Sequence, residues 1–589
     1  MNLLKLFRYL KKKDVVFAAV SLAFIAAQVW LDLRLPDYMS EITKLVQTQG
    51  SALSAILKAG GMMLLCALGS VIASVATGFF VARIAAGLAM RLREAVYDRV
   101  MDFTMEEIGG FSTASLITRS TNDITQIQLV VAIGMQAMVK APIMAVWAIL
   151  KIAGKSWQWT TVTAIAVGVL MLLIITLFIL VIPRFTKIQK LTDNLNRVTR
   201  ENLSGIRVVR AYNAEQYQEQ KFEKANVDLM KTHLFTGRAL AVMAPVMTLI
   251  MSGLTLAIYW VGVYMIDAAD MTDKINLFSD MVVFSSYAMQ VIMAFMMLTM
   301  TMIVLPRAAV SAKRINEVLH TVPRIEDGTV TETDAAHAGE IEFKDVSFRY
   351  PDAADDILKH ISFTARKGET VAFIGATGSG KSTLVNLIPR FYDVTGGELL
   401  VDGVNVRDFS QQALRNRIGY VPQRAVLFSG TVRSNVAYGD SGREPADDAL
   451  IREAVAVAQA EEFVSKLEDT YDAPIAQGGT NVSGGQKQRL SIARAIARQP
   501  EIYIFDDSFS ALDYKTDRTL RHALKAHTGG ATTLIVAQRI GTILDADKII
   551  VLDDGAIVGA GTHKELLETC SVYREIAESQ LTKEEIDNA

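Results

Sequence analysis

Six stretches between Val15 and Leu305 are each apolar for long enough to cross a bilayer, and nothing beyond Pro306 is. A spanning helix needs roughly 20 apolar residues. The runs are Val15 to Leu35, Ala52 to Phe80, Leu129 to Ile152, Thr160 to Ile182, Leu240 to Ile266 and Met281 to Leu305. Lipid offers backbone N–H and C=O groups no partner, so such runs satisfy them internally as helices. The first half of the chain therefore reads as an all-α membrane domain of six transmembrane helices. With 589 residues, 51% of them hydrophobic, the chain is too long for one domain and too apolar to be wholly soluble.

The segment before the first run, MNLLKLFRYLKKKD, places Leu3, Leu4, Leu6, Phe7 and Leu10 on one helical face and Lys5, Arg8 and Lys11 mostly on the other. It reads as an interfacial helix. A signal peptide is disfavoured because the run that follows is too long and ends in Asp32-Leu33-Arg34, without a small-residue cleavage site. Basic residues set the orientation. The short connections after runs one, three and five hold single lysines, Lys44, Lys155 and Lys274. The long ones after runs two and four hold Arg83, Arg91, Arg93, Arg99 and Arg119, then Arg184, Lys187, Lys190, Arg197, Arg200, Arg207 and Arg210. Both termini are expected in the cytosol.

Lys140 lies inside the third run, either as an intramembrane functional charge or as a lysine snorkelling back to the cytosolic interface. Met289, Met293, Met296, Met297, Met300 and Met302 crowd the sixth run, as a soft cavity wall or as lipid-facing filler. The formal net charge of −2 gives no footprint for a polyanion, so no nucleic-acid partner is expected. Cys66 and Cys570 are too few and too far apart in sequence for a disulfide framework or a metal cluster, which suits a reducing cytoplasm.

After Pro306 a helical segment, Arg307 to Leu319, ends before Pro323, and a polar linker follows over 324–338. From Gly339 the pattern turns to short strands alternating with helices, the mark of an α/β domain. Its strand ETVAFIG runs into GATGSGKST, residues 375–383, with a helix after it. In a loop of this form, Gly375, Thr377, Gly378, Ser379 and Gly380 let backbone N–H groups close around phosphate oxygens. Lys381 reaches the β- and γ-phosphates, Ser382 is placed to ligate Mg²⁺, and Thr383 completes the motif. ATP with Mg²⁺ is the expected cofactor pair of this P-loop domain.

Downstream, NVSGGQKQRLSIARA, Asn481 to Ala495, resembles the signature motif of ATP-binding cassette transporters, with Val482 where the family usually has leucine. The remaining motifs occur in the family's order. By that resemblance, Tyr350 stacks on adenine, and Gln423 in YVPQ links Mg²⁺ to the membrane domain. Ser483, Gly484, Gly485 and Gln486 form the signature contact, Asp506 joins Ser382 and Gln423 around Mg²⁺, and Asp513 closes the SALD loop. Six spans ahead of one nucleotide-binding domain resemble exporter-type half-transporters, whose inner loops end in coupling helices. Phe111 to Asp123 and Leu203 to Glu215 are the segments expected to form them. The expected boundaries are 1–323 for the membrane domain, 324–338 for the linker, 339–580 for the nucleotide-binding domain and 581–589 for a tail.

Two positions depart from the family pattern. The buried strand IYIFDD should deliver a magnesium ligand and then a catalytic glutamate; the second acid is Asp507, one methylene shorter. A misplacement of about 1 Å can cost on the order of a hundredfold in rate. After the later strand TTLIVAQRI, the family's histidine is replaced by Gln538, which can hydrogen-bond phosphate but cannot carry its positive charge. Nucleotide-binding domains of this family pair head to tail, and the signature here is intact. The chain thus resembles the degenerate-site subunit of a bacterial heterodimeric multidrug-type exporter in the plasma membrane. It would pair with a second half-transporter and move hydrophobic or amphipathic small molecules across the bilayer. An exporter-like importer of a metal chelate and an ATP-gated channel are the alternatives.

Overall fold

The computed structural model describes residues 2–48, 51–153 and 156–582, and not the side chains at 186, 271–272, 300–304 and 306. Lys155, the side chains of Met300 and Met302, and the tail from 583 onward lie outside the described residues. The chain divides into two compact units, residues 1–101 with 113–321, and residues 102–112 with 322–589.

In the first unit the apolar runs, but for Ala52 at the start of the second, fall within helices Lys12–Gln47, Leu53–Met101, Thr113–Ala153, Trp157–Ser204, Glu215–Asp267 and Met271–His320. Pro36, Pro142 and Pro183 sit inside the first, third and fourth of these. The first, second, third and sixth helices pack on one another, and the fifth packs on the fourth and sixth. The outward side chains of the spans are themselves apolar, among them Leu64, Leu65, Ile72, Ile165, Leu172 and Ile179. Water would penalise such a surface, whereas lipid tails accept it. Trp159 lies in the core and donates from its indole to Ile258 O at 3.1 Å.

The N-terminal segment is a short helix, Asn2–Leu6, followed by a 3₁₀ turn, Phe7–Tyr9, with Leu6 buried. Asn316 Nδ2 donates to Asn2 O at 2.9 Å and Arg91 Nε to Tyr9 O at 2.6 Å, so both ends are pinned. Lys140 does not snorkel toward the N-terminal side of its span. Its Nζ lies 3.2 Å from Asp32, at the far end of the first apolar run, because a paired charge avoids the cost of a lone one in hydrocarbon. Of the methionines, Met293 is exposed while Met296 and Met297 pack against the membrane core, so the group forms no single wall.

The expected coupling segment Phe111 to Asp123 is divided between the units. Thr104 and Glu107 form a capping box that starts a separate helix, Met105–Phe111, and Ser112 ends it at φ +58°. That helix belongs to the nucleotide-binding unit, where Arg324 N donates to Glu107 Oε1 at 3.1 Å. From Thr113 the chain continues through a π-helical turn, Arg119–Asp123, into the third membrane helix. Here Ser311 donates to the buried Asp123 at 2.7 Å and Arg119 to Glu317 at 2.9 Å, which ties the turn to the sixth helix. The second coupling segment contains a short helix, Ile206–Ala211, with Val208 and Tyr212 exposed.

The nucleotide-binding unit holds twelve described strands. β1 (Ile341–Phe348), β2 (Leu358–Ala365), β4 (Gly396–Val401) and β5 (Val404–Asn405) form an antiparallel sheet in the order β2-β1-β4-β5. The main sheet runs β12-β11-β3-β10-β9-β6, using β3 (Thr370–Gly375), β6 (Ile418–Val421), β9 (Ile502–Asp506), β10 (Thr532–Val536), β11 (Lys548–Asp553) and β12 (Ala556–Gly561). All its pairings are parallel except that of the edge strand β12. β7 (Gly430–Thr431) and β8 (Pro474–Ile475) make a two-stranded ribbon. β9 and β10 are buried along their whole length, as expected of central parallel strands covered on both faces. The segment expected as a linker is laid on this unit. Gly328 N donates to Phe409 O and Val330 N to Asp408 O, and a Cβ at Gly328 would stand 2.2 Å from Asp408 O.

Candidate nucleotide site

β3, β10 and β9 are neighbours in the sheet, so the loops leaving their C-terminal ends converge on one crevice, where open α/β sheets place their ligands. The loop after β3 is the glycine-rich one. Gly378 and Gly380 have φ of +89° and +96°, which side-chain-bearing residues resist. At Gly375 a Cβ would lie 2.0 Å from Leu552 O. Lys381 folds back into this loop, its Nζ 2.9 Å from Gly375 O, 2.7 Å from Ala376 O and 3.3 Å from Ser379 Oγ. Burial pulls the lysine below its usual pKa, against the opposing pull of Asp507 and Asp506. The ammonium thus rests on weak neutral acceptors that a polyphosphate would outbid. With a loop that admits no Cβ at Gly375, the residues fit a nucleotide.

Ser382 Oγ donates to Asp506 Oδ1 at 2.7 Å. This joins two of the three groups expected around Mg²⁺: a hydroxyl and a carboxylate, hard oxygen donors suited to that ion once phosphates complete the shell. Burial pushes the Asp506 carboxyl above its usual range, with Ser382 pulling it down and Asp507 adding to the rise. Tyr350 OH lies 3.1 Å from Thr383 Oγ1, and its ring meets those of Phe348 and Tyr392 edge-on. Beside this aromatic group is a cavity of about 450 Å³, lined in part by Tyr350, Tyr392, Arg349 and Glu106. Tyr350 therefore stands at the edge of the phosphate loop.

Asp507 has φ +45°, a conformation that aspartate tolerates better than most residues. Its N–H donates to Val536 O at 3.0 Å, and Ser510 Oγ donates to its carbonyl at 2.9 Å. Its Oδ2 accepts two amides, Gln538 Nε2 at 2.9 Å and Gln423 Nε2 at 3.1 Å. Because a carboxylate only accepts, both amides present their NH₂ groups to it. The two departures read from the sequence as separate losses are therefore hydrogen-bonded partners. Burial raises the Asp507 carboxyl, while the bond from Gln423 holds it down. Gln423 is attached to Asp507, not to Asp506 or Ser382, which leaves its Oε1 as the group it could offer a metal.

The signature lies apart from these contacts. Ser483 caps helix Gly484–Ala497 in a reciprocal box with Gln486, Ser483 N to Gln486 Oε1 at 2.9 Å and Gln486 N to Ser483 Oγ at 3.3 Å. Ser483 and Gly484 are exposed, nothing lies within 4 Å of a Cβ built on Gly484, and one on Gly485 would sit 3.4 Å from Ala511 O. Asp513 caps helix Tyr514–His527 through Thr516 N at 3.0 Å, a bond that holds its carboxyl below the usual range.

Sequence reasoning passed over Gln580. From the last turn of helix Ser571–Gln580, its Nε2 donates to Gln538 O at 2.9 Å and its Oε1 accepts from Ile540 N at 2.8 Å. One amide thus brackets the loop that carries Gln538; a lone glutamine near a C-terminus has no motif to flag it. Removing a bond of this kind costs about 1 kcal/mol, so Gln580→Ala is expected to speed hydrogen exchange at the Ile540 amide about fivefold. Exchange rates followed by mass spectrometry check this, and unchanged protection would show the bracket to be idle.

The family described as "ABC transporter" matches residues 358–510, and "ABC transporter transmembrane region" matches 18–295. An uncharacterized ABC transporter ATP-binding protein of Mycobacterium tuberculosis is 42% identical over 522 residues, 88% of this chain and 87% of the relative. An ATP-dependent lipid A-core flippase of Pseudomonas aeruginosa is 32% identical over 493 residues, 83% of this chain and 79% of that protein. The solved structure of a bacterial Atm1-family ABC exporter with ATP bound superposes with a TM-score of 0.79 at 25% identity, covering 97% of this chain and 99% of that one. The chain belongs to the ABC transporter family, as an exporter half-transporter in which a six-helix membrane region is fused to one ATP-binding domain.

Proposed function

We propose that this chain is the degenerate-site subunit of a heterodimeric exporter of hydrophobic or amphipathic compounds in the plasma membrane, with both termini cytosolic. The observation that carries the reading is the bond between Asp507 and Gln538. In the chain's own site, Lys381 and the backbone of 375–383 bind phosphates and Tyr350 packs on the base. Ser382, Asp506 and Oε1 of Gln423 would hold Mg²⁺, which when bound would neutralise phosphate charge. The base position is held by a short carboxylate whose Oδ2 is already shared by two amides. Gln538, engaged there, brings no positive charge to the phosphates. Such a site retains ATP and turns it over slowly.

The exposed Ser483 and Gly484 are free to act on ATP held by a second subunit. The exposed Val208 and Tyr212 of the second inner connection suit docking on that subunit as well. An amphipathic cargo is favoured by the likeness to proteins described as lipid A-core flippases. Steady-state ATPase rates test the pairing: the chain purified alone is expected to run far below any complex with its partner, and equal rates would refute the heterodimer.

A further inference from the structure

One polar group from each of the four packed membrane helices meets inside the first unit. Asp32 on the first helix accepts from Ser70 of the second through Oδ1 and lies 3.2 Å from Lys140 of the third through Oδ2. Gln290 of the sixth reaches Asp32 O with its Nε2 at 3.4 Å. Its Oε1 is buried and has no hydrogen-bond partner among the described residues. Lys140 and Asp32 are not sealed in, at 18% and 23% exposed. A second pair nearby differs on the point that matters. Asp37 accepts from Lys151 at 2.8 Å on one oxygen and from the fully buried Tyr287 on the other, so neither carboxylate oxygen lacks a partner.

Apolar residues would pack a bundle as well as a buried ion pair or better, so packing does not account for Asp32 and Lys140. An intramembrane pair beside an unmet acceptor is instead a site in waiting. Its chemistry limits the ligand. A ligand with one charge would open the pair and strand the other member, and a neutral one would leave the pair shut and Gln290 unmet. A ligand carrying an ammonium next to an anionic oxygen replaces both partners at once. The ammonium's N–H groups have two acceptors, Asp32 Oδ2 and Gln290 Oε1, which favours a primary ammonium over a trimethylated one that has no N–H to give.

We propose that Asp32, Lys140 and Gln290 bind the zwitterionic headgroup, primary ammonium beside phosphate or carboxylate, of an amphipathic cargo. The inference names the cargo class of the export reading and rests on it. The test is equilibrium binding of a fluorescent-tailed lysophosphatidylethanolamine to the full chain in phosphatidylcholine nanodiscs. Lysophosphatidylethanolamine should compete at about a tenth of the concentration needed of lysophosphatidylcholine, of its N-acetylated form or of an alkylamine. Exchanging the pair, Asp32→Lys with Lys140→Asp, keeps a bundle with matched charge but reverses the site and should weaken binding about tenfold. The apolar variant Asp32→Leu with Lys140→Met should do the same, with binding of an ATP analogue unchanged in both. Absence of saturable binding, equal competition by the choline lipid, or undiminished binding by the folded variants would each overturn the proposal. Binding intact in a complex that does not move the probe across the membrane would refute export and leave this site standing.

Discussion

Gly484→Asp in the signature is expected to lower the ATPase rate of the proposed heterodimer by about a hundredfold, whereas Asp507→Asn should leave most of it. The difference follows from where the groups sit. Gly484 is exposed at the start of its helix, and a Cβ there meets nothing within 4 Å, so an aspartate fits the fold and fails only when another surface carrying phosphates arrives. Its carboxylate then opposes negative charge where backbone N–H groups should stabilise it. Ser483→Ala should act in the same direction by removing both a cap and a hydroxyl donor. Asp507 faces the site proposed to be slow, and asparagine keeps its shape and one oxygen to accept from Gln423 and Gln538 while giving up the charge. An Asp507→Asn complex as inactive as the Ser483→Ala one would make the aspartate a working base.

Gly375→Ala is expected to weaken ATP binding by this chain about ten- to a hundredfold without touching the signature. The added Cβ would stand 2.0 Å from Leu552 O, a backbone atom of the adjacent strand that cannot swing aside. Overpacking of this kind costs about 1–3 kcal/mol, and here it displaces the carbonyl on which Lys381 rests. Titration with a fluorescent ATP analogue measures the loss. Undiminished affinity would mean that the loop has room the structure denies it.

The membrane helices were legible because lipid makes apolar length decisive, and the phosphate loop because Gly375 to Thr383 is local in sequence. Relations that depend on strand order were not. Asp507 and Gln538 meet because β9 and β10 are neighbours with Asp506 opposite Val536, so the residues just beyond the strands share one edge. Nothing in either strand's composition says that the other lies beside it. Lys140 was visible as a charge in an apolar run, but Asp32 sat at the end of another run and looked like its boundary. The division at Ser112 was missed for a different reason. Phe111 to Asp123 is helically patterned, yet the left-handed backbone at Ser112 separates Met105–Phe111 from the base of the third membrane helix. The bracket by Gln580 joins residues about forty apart through one side chain.

The most direct test is the identity of the nucleotide held by this chain during turnover. In a working complex, a photoreactive ATP carrying its label on the α-phosphate is cross-linked after many catalytic cycles, and the nucleotide recovered from each subunit is identified. The account predicts triphosphate on this chain and diphosphate accumulating on the partner; diphosphate in equal measure on both would contradict it.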